Sequence, residues 1–182
     1  MASYIPVDFT RSIEKKRLVY KNRSKFILEY FTFYFLIFLT VMLSVGLIYG
    51  AISVHSLAQS MSTIIPVLLY DTWILTNIIM LNHFVIIDGA DRETNKQDII
   101  KVLIDLNLTE NLNTTAPNMV RDFKSTRFSA GRVITCLFYK NMVYINITSL
   151  VRADGPSIFG GLFNYFICKN IVRQFKKLRA CR

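Results

Sequence analysis

Residues 30–54, YFTFYFLIFLTVMLSVGLIYGAISV, and residues 64–87, IIPVLLYDTWILTNIIMLNHFVII, decide how this chain is read. Both lie in a stretch between Lys25 and Arg92 that contains no lysine or arginine. Hydrocarbon offers a peptide backbone no hydrogen-bond partners, so a segment that crosses a bilayer satisfies its own N–H and C=O groups as a helix of about 20 apolar residues. The first run has 25 residues and no charge; the second has 24 and contains Asp71, Asn77, Asn82 and His83. Both are long enough, and the second is the costlier to insert. With the polar bend 55–63 between them they predict an α-helical membrane protein, a two-span transmembrane helical hairpin.

Charge sets the expected orientation. Residues 1–27 carry seven basic and two acidic side chains, and residues 88–182 carry 15 basic and eight acidic, in a chain of formal net charge +10. The bend carries neither sign. The positive-inside rule then places both termini on the cytoplasmic side, or the equivalent inner side of an organelle. Tyr30, Phe31, Phe33 and Tyr34 suit an aromatic belt at the entry of the first span. That span starts too late and runs too long for a cleaved signal peptide, so it is expected to remain as an anchor. Met1-Ala2 lacks the glycine that myristoylation requires. Four sequons begin at Asn22, Asn107, Asn113 and Asn146, and in this orientation they are expected to be unused.

Two features inside the hairpin point beyond anchoring. Gly46 and Gly50, followed by Ala51, remove side-chain bulk from one helix face and allow another backbone to approach. In the second span Thr72, Thr76 and His83 fall within about 40° of one another at 100° per residue, with Asp71 and Asn82 beside them. This polar membrane face should meet a bundle interior, a water-filled path or another subunit, because lipid exposure of an acid costs several kcal/mol. Asp71 is expected near the far-side end, within reach of interfacial water, and His83 near the inner end. Twelve residues, about 18 Å of helix, keep them from pairing.

The 182 residues are 52% hydrophobic and 19% charged, and the 95 that follow the hairpin suffice for one small domain. The expected organisation is a basic N-terminal arm (1–27), the hairpin (28–87) and a small α+β domain (88–182) on the cytoplasmic side. In that domain Thr94 and Gln97 fit a capping box, and Ile99, Ile100, Leu103 and Leu106 recur at helical spacing, predicting a helix over 95–107. Residues 107–118 read as a loop. Residues 132–139 and 142–149 read as a strand hairpin turning at Lys140-Asn141. With a C-terminal helix the order is αββα.

The C-terminal stretch holds a conflict. Ile158, Phe159, Leu162, Phe163, Tyr165, Phe166 and Ile167 form an apolar block too short to span. Ile167, Ile171, Phe175 and Leu178 form a second stripe on a different side of the wheel, opposite Lys169, Arg173, Lys176 and Lys177. One straight helix cannot bury both sets against one surface, so it should bend near 168–170 or be enclosed over its first half. Lys169, Arg173, Lys176, Lys177, Arg179 and Arg182 suit anionic lipid headgroups or a partner. Nucleic acid is a weaker fit: no zinc finger, RRM signature or KH loop accompanies the charges.

No catalytic, cofactor or metal site is expected. Cys136, Cys168 and Cys181 are widely spaced, His55 and His83 lack a nearby second ligand, and no P-loop, GxGxxG or nucleophile elbow occurs. The expected function is a non-catalytic accessory or structural subunit of a multi-subunit integral membrane complex. It would dock on other membrane subunits through the hairpin and the cytoplasmic-side domain. The alternative is a homo-oligomeric channel-forming or membrane-remodelling protein, cellular or viral; a lipid-directed enzyme ranks last.

Overall fold

A computed structural model describes residues 6–21, 24–54, 57–124, 131–150, 157 and 160–181, with the backbone alone for helical residues 24–33, 36, 54 and 57–59. The chain divides into two compact units, Asn22–Asn77 and the pair of segments Met1–Lys21 and Ile78–Arg182.

The first unit is helical. It comprises α2 (Ser24–Val54) and α3 (Leu57–Leu81), the last turn of α3 belonging to the other unit. Here the two-span expectation is corrected. Among the described residues one helix segment, Ser60–Leu81, is long and apolar enough to cross a membrane, and the apolar part of α2, Ile37–Ser53, is shorter. The second apolar run also does not stay helical to Ile87. Helix ends at Leu81, and Val85–Asp88 forms strand β1. An apolar run alone does not separate buried strand from helix, and the β-branched Val85-Ile86-Ile87 favours the pleated, two-sided environment it finds here.

The second unit is mixed α+β. Its elements are α1 (Phe9–Glu14), β1, α4 (Arg92–Asp105), β2 (Asn111–Asn113), β3 (Met119–Lys124), β4 (Gly131–Tyr139), β5 (Met142–Leu150) and α5 (Gly161–Ala180). The strands form one antiparallel sheet in the order β1-β5-β4-β3-β2. The expected αββα domain is therefore corrected to a five-stranded sheet with two helices. Two of the added strands, β2 and β3, fall where polar residues hide the pattern. Asp122 explains one of them: its carboxylate accepts from the backbone N–H groups of Glu110 (3.1 Å) and Asn111 (2.9 Å), fixing the start of β2 against β3. The β4–β5 hairpin lies where the sequence predicts it. Lys140 takes the left-handed conformation (φ 52°) that its tight turn requires without a glycine.

Alternation divides the sheet cleanly. Val85, Ile87, Val120, Ile134, Cys136, Phe138, Val143, Ile145 and Ile147 face α4 and α5, whose Ile99, Val102, Leu103, Cys168, Ile171 and Phe175 complete the main core. On the other face Phe84, Leu137 and Tyr144 pack against Val7 and Leu18, so the N-terminal arm covers the back of the sheet. Helix α4 starts three residues earlier than the capping box predicts. Asp91, not Thr94, is the N-cap, accepting from the N–H groups of Glu93 and Thr94, both at 3.1 Å.

Candidate functional site

In the helical unit three polar side chains of α3 bond back onto their own helix. Thr72 donates to the carbonyl of Leu68 (2.7 Å), Thr76 to that of Thr72 (2.8 Å), and Asn77 to that of Trp73 (2.9 Å). Each closes on its own helix one turn back, which makes a hydroxyl tolerable in an apolar setting. Asp71 is the exception. Its Oδ1 accepts from the Ser44 hydroxyl of α2 at 3.0 Å. It stands eleven residues after Ser60 and ten before Leu81, the centre of the candidate span and not the end where the sequence reading puts it. No Lys or Arg occurs between residues 26 and 91 to neutralise it.

Beside this hydrogen bond Thr40, Leu43, Ser44, Leu47, Pro66, Val67 and Tyr70 line a groove of about 370 Å3. Further along α2, Ala51 is buried and its carbonyl accepts from the Ser60 hydroxyl at 2.8 Å. Gly46 and Gly50 are different. A Cβ on either would meet nothing within 4 Å, so neither is the packing point for α3. The outer surfaces of both helices are apolar and bare: Phe38, Met42, Leu43, Tyr49, Ile65, Leu68, Leu69 and Ile79 are among the exposed large side chains.

Asn82 and His83 lie outside the polar face of α3. They form the link from α3 to β1. The Asn82 carbonyl accepts from the Leu18 N–H (2.9 Å), and His83 pairs with Arg17 in an isolated antiparallel bridge. Asn146 of β5, fully buried, donates through Nδ2 to the carbonyls of Leu81 (3.3 Å) and His83 (3.0 Å), and its Oδ1 accepts from Thr148 at 2.9 Å. A helix leaves its last carbonyls without intrahelical partners, and Asn146 supplies one to α3. The sequon asparagines Asn107 and Asn113 are exposed, Asn146 is not, and Asn22 lies outside the described residues.

At the C-terminus the wheel conflict resolves without a bend. Helix α5 runs unbroken, and its buried stripe is Gly161, Asn164, Cys168, Ile171 and Phe175. Asn164 faces inward, donating to the Ser149 hydroxyl at 3.0 Å. Gly160 permits this close approach, because a Cβ there would sit 2.8 Å from the same hydroxyl. Phe163 and Phe166 consequently face outward, 67% and 61% exposed. Lys169, Arg173, Lys176 and Lys177 are exposed as well. Arg179 is not one of this set. It is 26% exposed, lies 3.7 Å from the buried Asp98 of α4 and covers the Phe175 ring. Its charge balances an interior acid. Arg182 lies outside the described residues.

Nothing in the sequence singles out Ser44, Asn146 reads only as a sequon, and Phe163 and Phe166 stand in an apolar block whose outward side is not assigned. For the phenylalanines a signal existed: Asn164, Cys168, Ile171 and Phe175 repeat at the 4-3-4 spacing of a buried stripe, obscured because its first members are polar or small. Cys136 and Cys168 are buried under the helices. Burial pushes the Cys168 thiol up to about 12 and raises Cys136 further, so neither is a ready nucleophile. Among the described residues no three of His, Cys, Asp and Glu gather as metal ligands. Comparison with protein-family models, with characterised proteins and with solved structures finds no match.

Proposed function

We propose that this chain is a non-catalytic subunit of a membrane complex, held in the bilayer by α3 and meeting its partners through the helical unit. The observation that carries the reading is the surface of α3. A core helix of a water-soluble domain is mostly covered by its own protein, whereas only 17% of the most apolar window of Ser60–Leu81 is buried. Such an exterior requires lipid or another protein around it. Asp71 supports the partner half of the proposal. A carboxylate at mid-span, with the Ser44 hydroxyl as its hydrogen-bond donor among the described residues and no basic residue within reach in sequence, is stabilised by a polar or cationic group from a neighbouring helix.

The channel alternative has less support, because the Thr72 and Thr76 hydroxyls donate to carbonyls of α3 itself. Purification of the full chain in mild detergent tests the proposal. Stoichiometric companions are expected with the native chain, and Asp71→Ala should lose them while still resisting carbonate extraction. A chain that carbonate strips from membranes sinks the anchoring, and a chain purified alone from its native membrane sinks the subunit role.

A further inference from the structure

We infer that the outer face of α5 is a docking surface for anionic phospholipid, with Phe163 and Phe166 entering the headgroup region and Lys169, Arg173, Lys176 and Lys177 pairing with phosphate and carboxylate groups.

The buried stripe of α5 fixes which side is outward. Gly161, Asn164, Cys168, Ile171 and Phe175 occupy an arc of about 80° against the sheet and α4, and the six outward residues fall in an arc of about 140° on the opposite side at 100° per residue. From Phe163 to Lys177 this face is about 21 Å long. It is graded along its axis, with two bare aromatic rings over the first turns and four cations over the last three. Three other phenylalanines of the sheet unit, Phe84, Phe138 and Phe175, are fully buried. Two neighbouring rings on one helix face left in water form an apolar patch that calls for an occupant.

Charge complementarity selects that occupant. No acid lies between Lys169 and Arg182, and Asp98 of α4, on the inner side of the helix, is already taken by Arg179. Aromatic rings beside lysine and arginine match the interface of an anionic bilayer, where rings sit at headgroup level and each cation contributes about 1 kcal/mol. Lys169 already lies 5.4 Å from the Tyr165 ring centroid, which holds its ammonium group along the helix. A nucleic-acid duplex would reward the same cations and give the rings nothing to enter. Lipid is also the polyanion closest to hand for a chain that carries a candidate span, and in that choice the inference rests on the proposed function.

The test uses the full chain with Cys181→Ser and Phe166→Cys, labelled at residue 166 with a polarity-sensitive dye and mixed with vesicles. Phosphatidylcholine alone is compared with an equal mixture of phosphatidylcholine and phosphatidylserine. The expected result is a blue shift in the anionic vesicles only. Neutralising any one of the four cations should lower the docked-to-free ratio about fivefold, the equivalent of ~1 kcal/mol per charge. Reversing all four to Glu should abolish the shift and leave thermal unfolding unchanged, since all four are exposed. Equal emission in the two vesicles, or a shift that survives charge reversal, overturns the inference. So does a shift produced by an RNA duplex and not by phosphatidylserine, which would assign the face to nucleic acid. Flotation with both kinds of vesicle is read in the same samples. Floating with the anionic vesicles without a shift removes this inference alone, whereas failure to float with phosphatidylcholine removes the anchoring by α3.

Discussion

The two units solve opposite problems with the same residue types. In the sheet unit the large apolar side chains point inward from both faces of a five-stranded sheet, and helices and the N-terminal arm cover them. In the helical unit many of them point outward, and two hydrogen bonds link α2 and α3: Ser44 to Asp71, and Ser60 to the Ala51 carbonyl. Hydrophobicity drives the first arrangement because water is the alternative. If lipid surrounds the second, as proposed, hydrophobicity cannot assemble it and small and polar contacts take over. The difference teaches that composition alone does not separate the two units; the direction in which their apolar groups face does.

Substitutions can break this contrast. Phe175→Ala should destabilise the sheet unit by about 3–5 kcal/mol in denaturant unfolding, because a fully buried ring leaves a cavity. Phe166→Ala, on the same helix facing outward, should stay within about 0.5 kcal/mol. Equal costs at the two positions would refute the assignment of inner and outer faces.

Leu69→Arg places a charge on the bare side of α3 at a cost of about 2.5–3.5 kcal/mol for insertion near a helix centre. Release of the chain by carbonate, with the sheet unit's unfolding midpoint unmoved, is the expected pair of readings. Destabilised unfolding without release would mean that α3 is packed on protein.

Asn146→Ala should cost about 1–3 kcal/mol, as it strips a buried donor from the Leu81 and His83 carbonyls. Hydrogen exchange is expected to speed up first around Val85–Asp88 if that link is what holds β1 to the end of α3.

The smallest effect is a slope against pH. Burial raises the Asp122 carboxyl above its ordinary value of 3.8, against the N–H groups of Glu110 and Asn111 that lower it, with Glu110, Lys124 and Arg132 the charged groups around it. A raised acid favours folding fully below its unfolded value and loses that contribution as pH rises through the folded one. Asp122→Asn keeps an acceptor for both N–H groups and should flatten the decline above pH 3.8 in thermal unfolding. A slope unchanged by the substitution would place its origin elsewhere.

Much of this was legible in the residues. The β4–β5 hairpin follows from the alternation of Val143, Ile145 and Ile147 with Tyr144, Asn146 and Thr148, and α4 follows from Ile99, Leu103 and Leu106. The end of α3 was not legible, because Phe84-Val85-Ile86-Ile87 continues an apolar run whose change from helix to strand is decided by β5, some 60 residues away. Strands β2 and β3 were hidden for a related reason. Met119-Val120-Arg121-Asp122-Phe123-Lys124 pairs because of its neighbours, and Asp122 in a strand makes sense only once the Glu110 and Asn111 N–H groups are beside it. The candidate site divides the same way. The cations of α5 are plain in the sequence, but that Arg179 turns inward and Phe166 outward depends on Asp98 and Asn164, whose roles are tertiary.

The buried amide of Asn146 also bears on where the chain can mature. Its sequon, Asn146-Ile147-Thr148, is one that an oligosaccharyltransferase reads in an unfolded chain. A glycan would be attached at Nδ2, the nitrogen that the folded sheet commits to the Leu81 and His83 carbonyls, in a place with no room for a sugar. Glycosylation and closure of β5 are therefore mutually exclusive events. A chain whose sheet unit entered a glycosylating lumen would have to win a race between folding and modification at a single nitrogen, and a chain whose sheet unit stays outside that lumen never runs it.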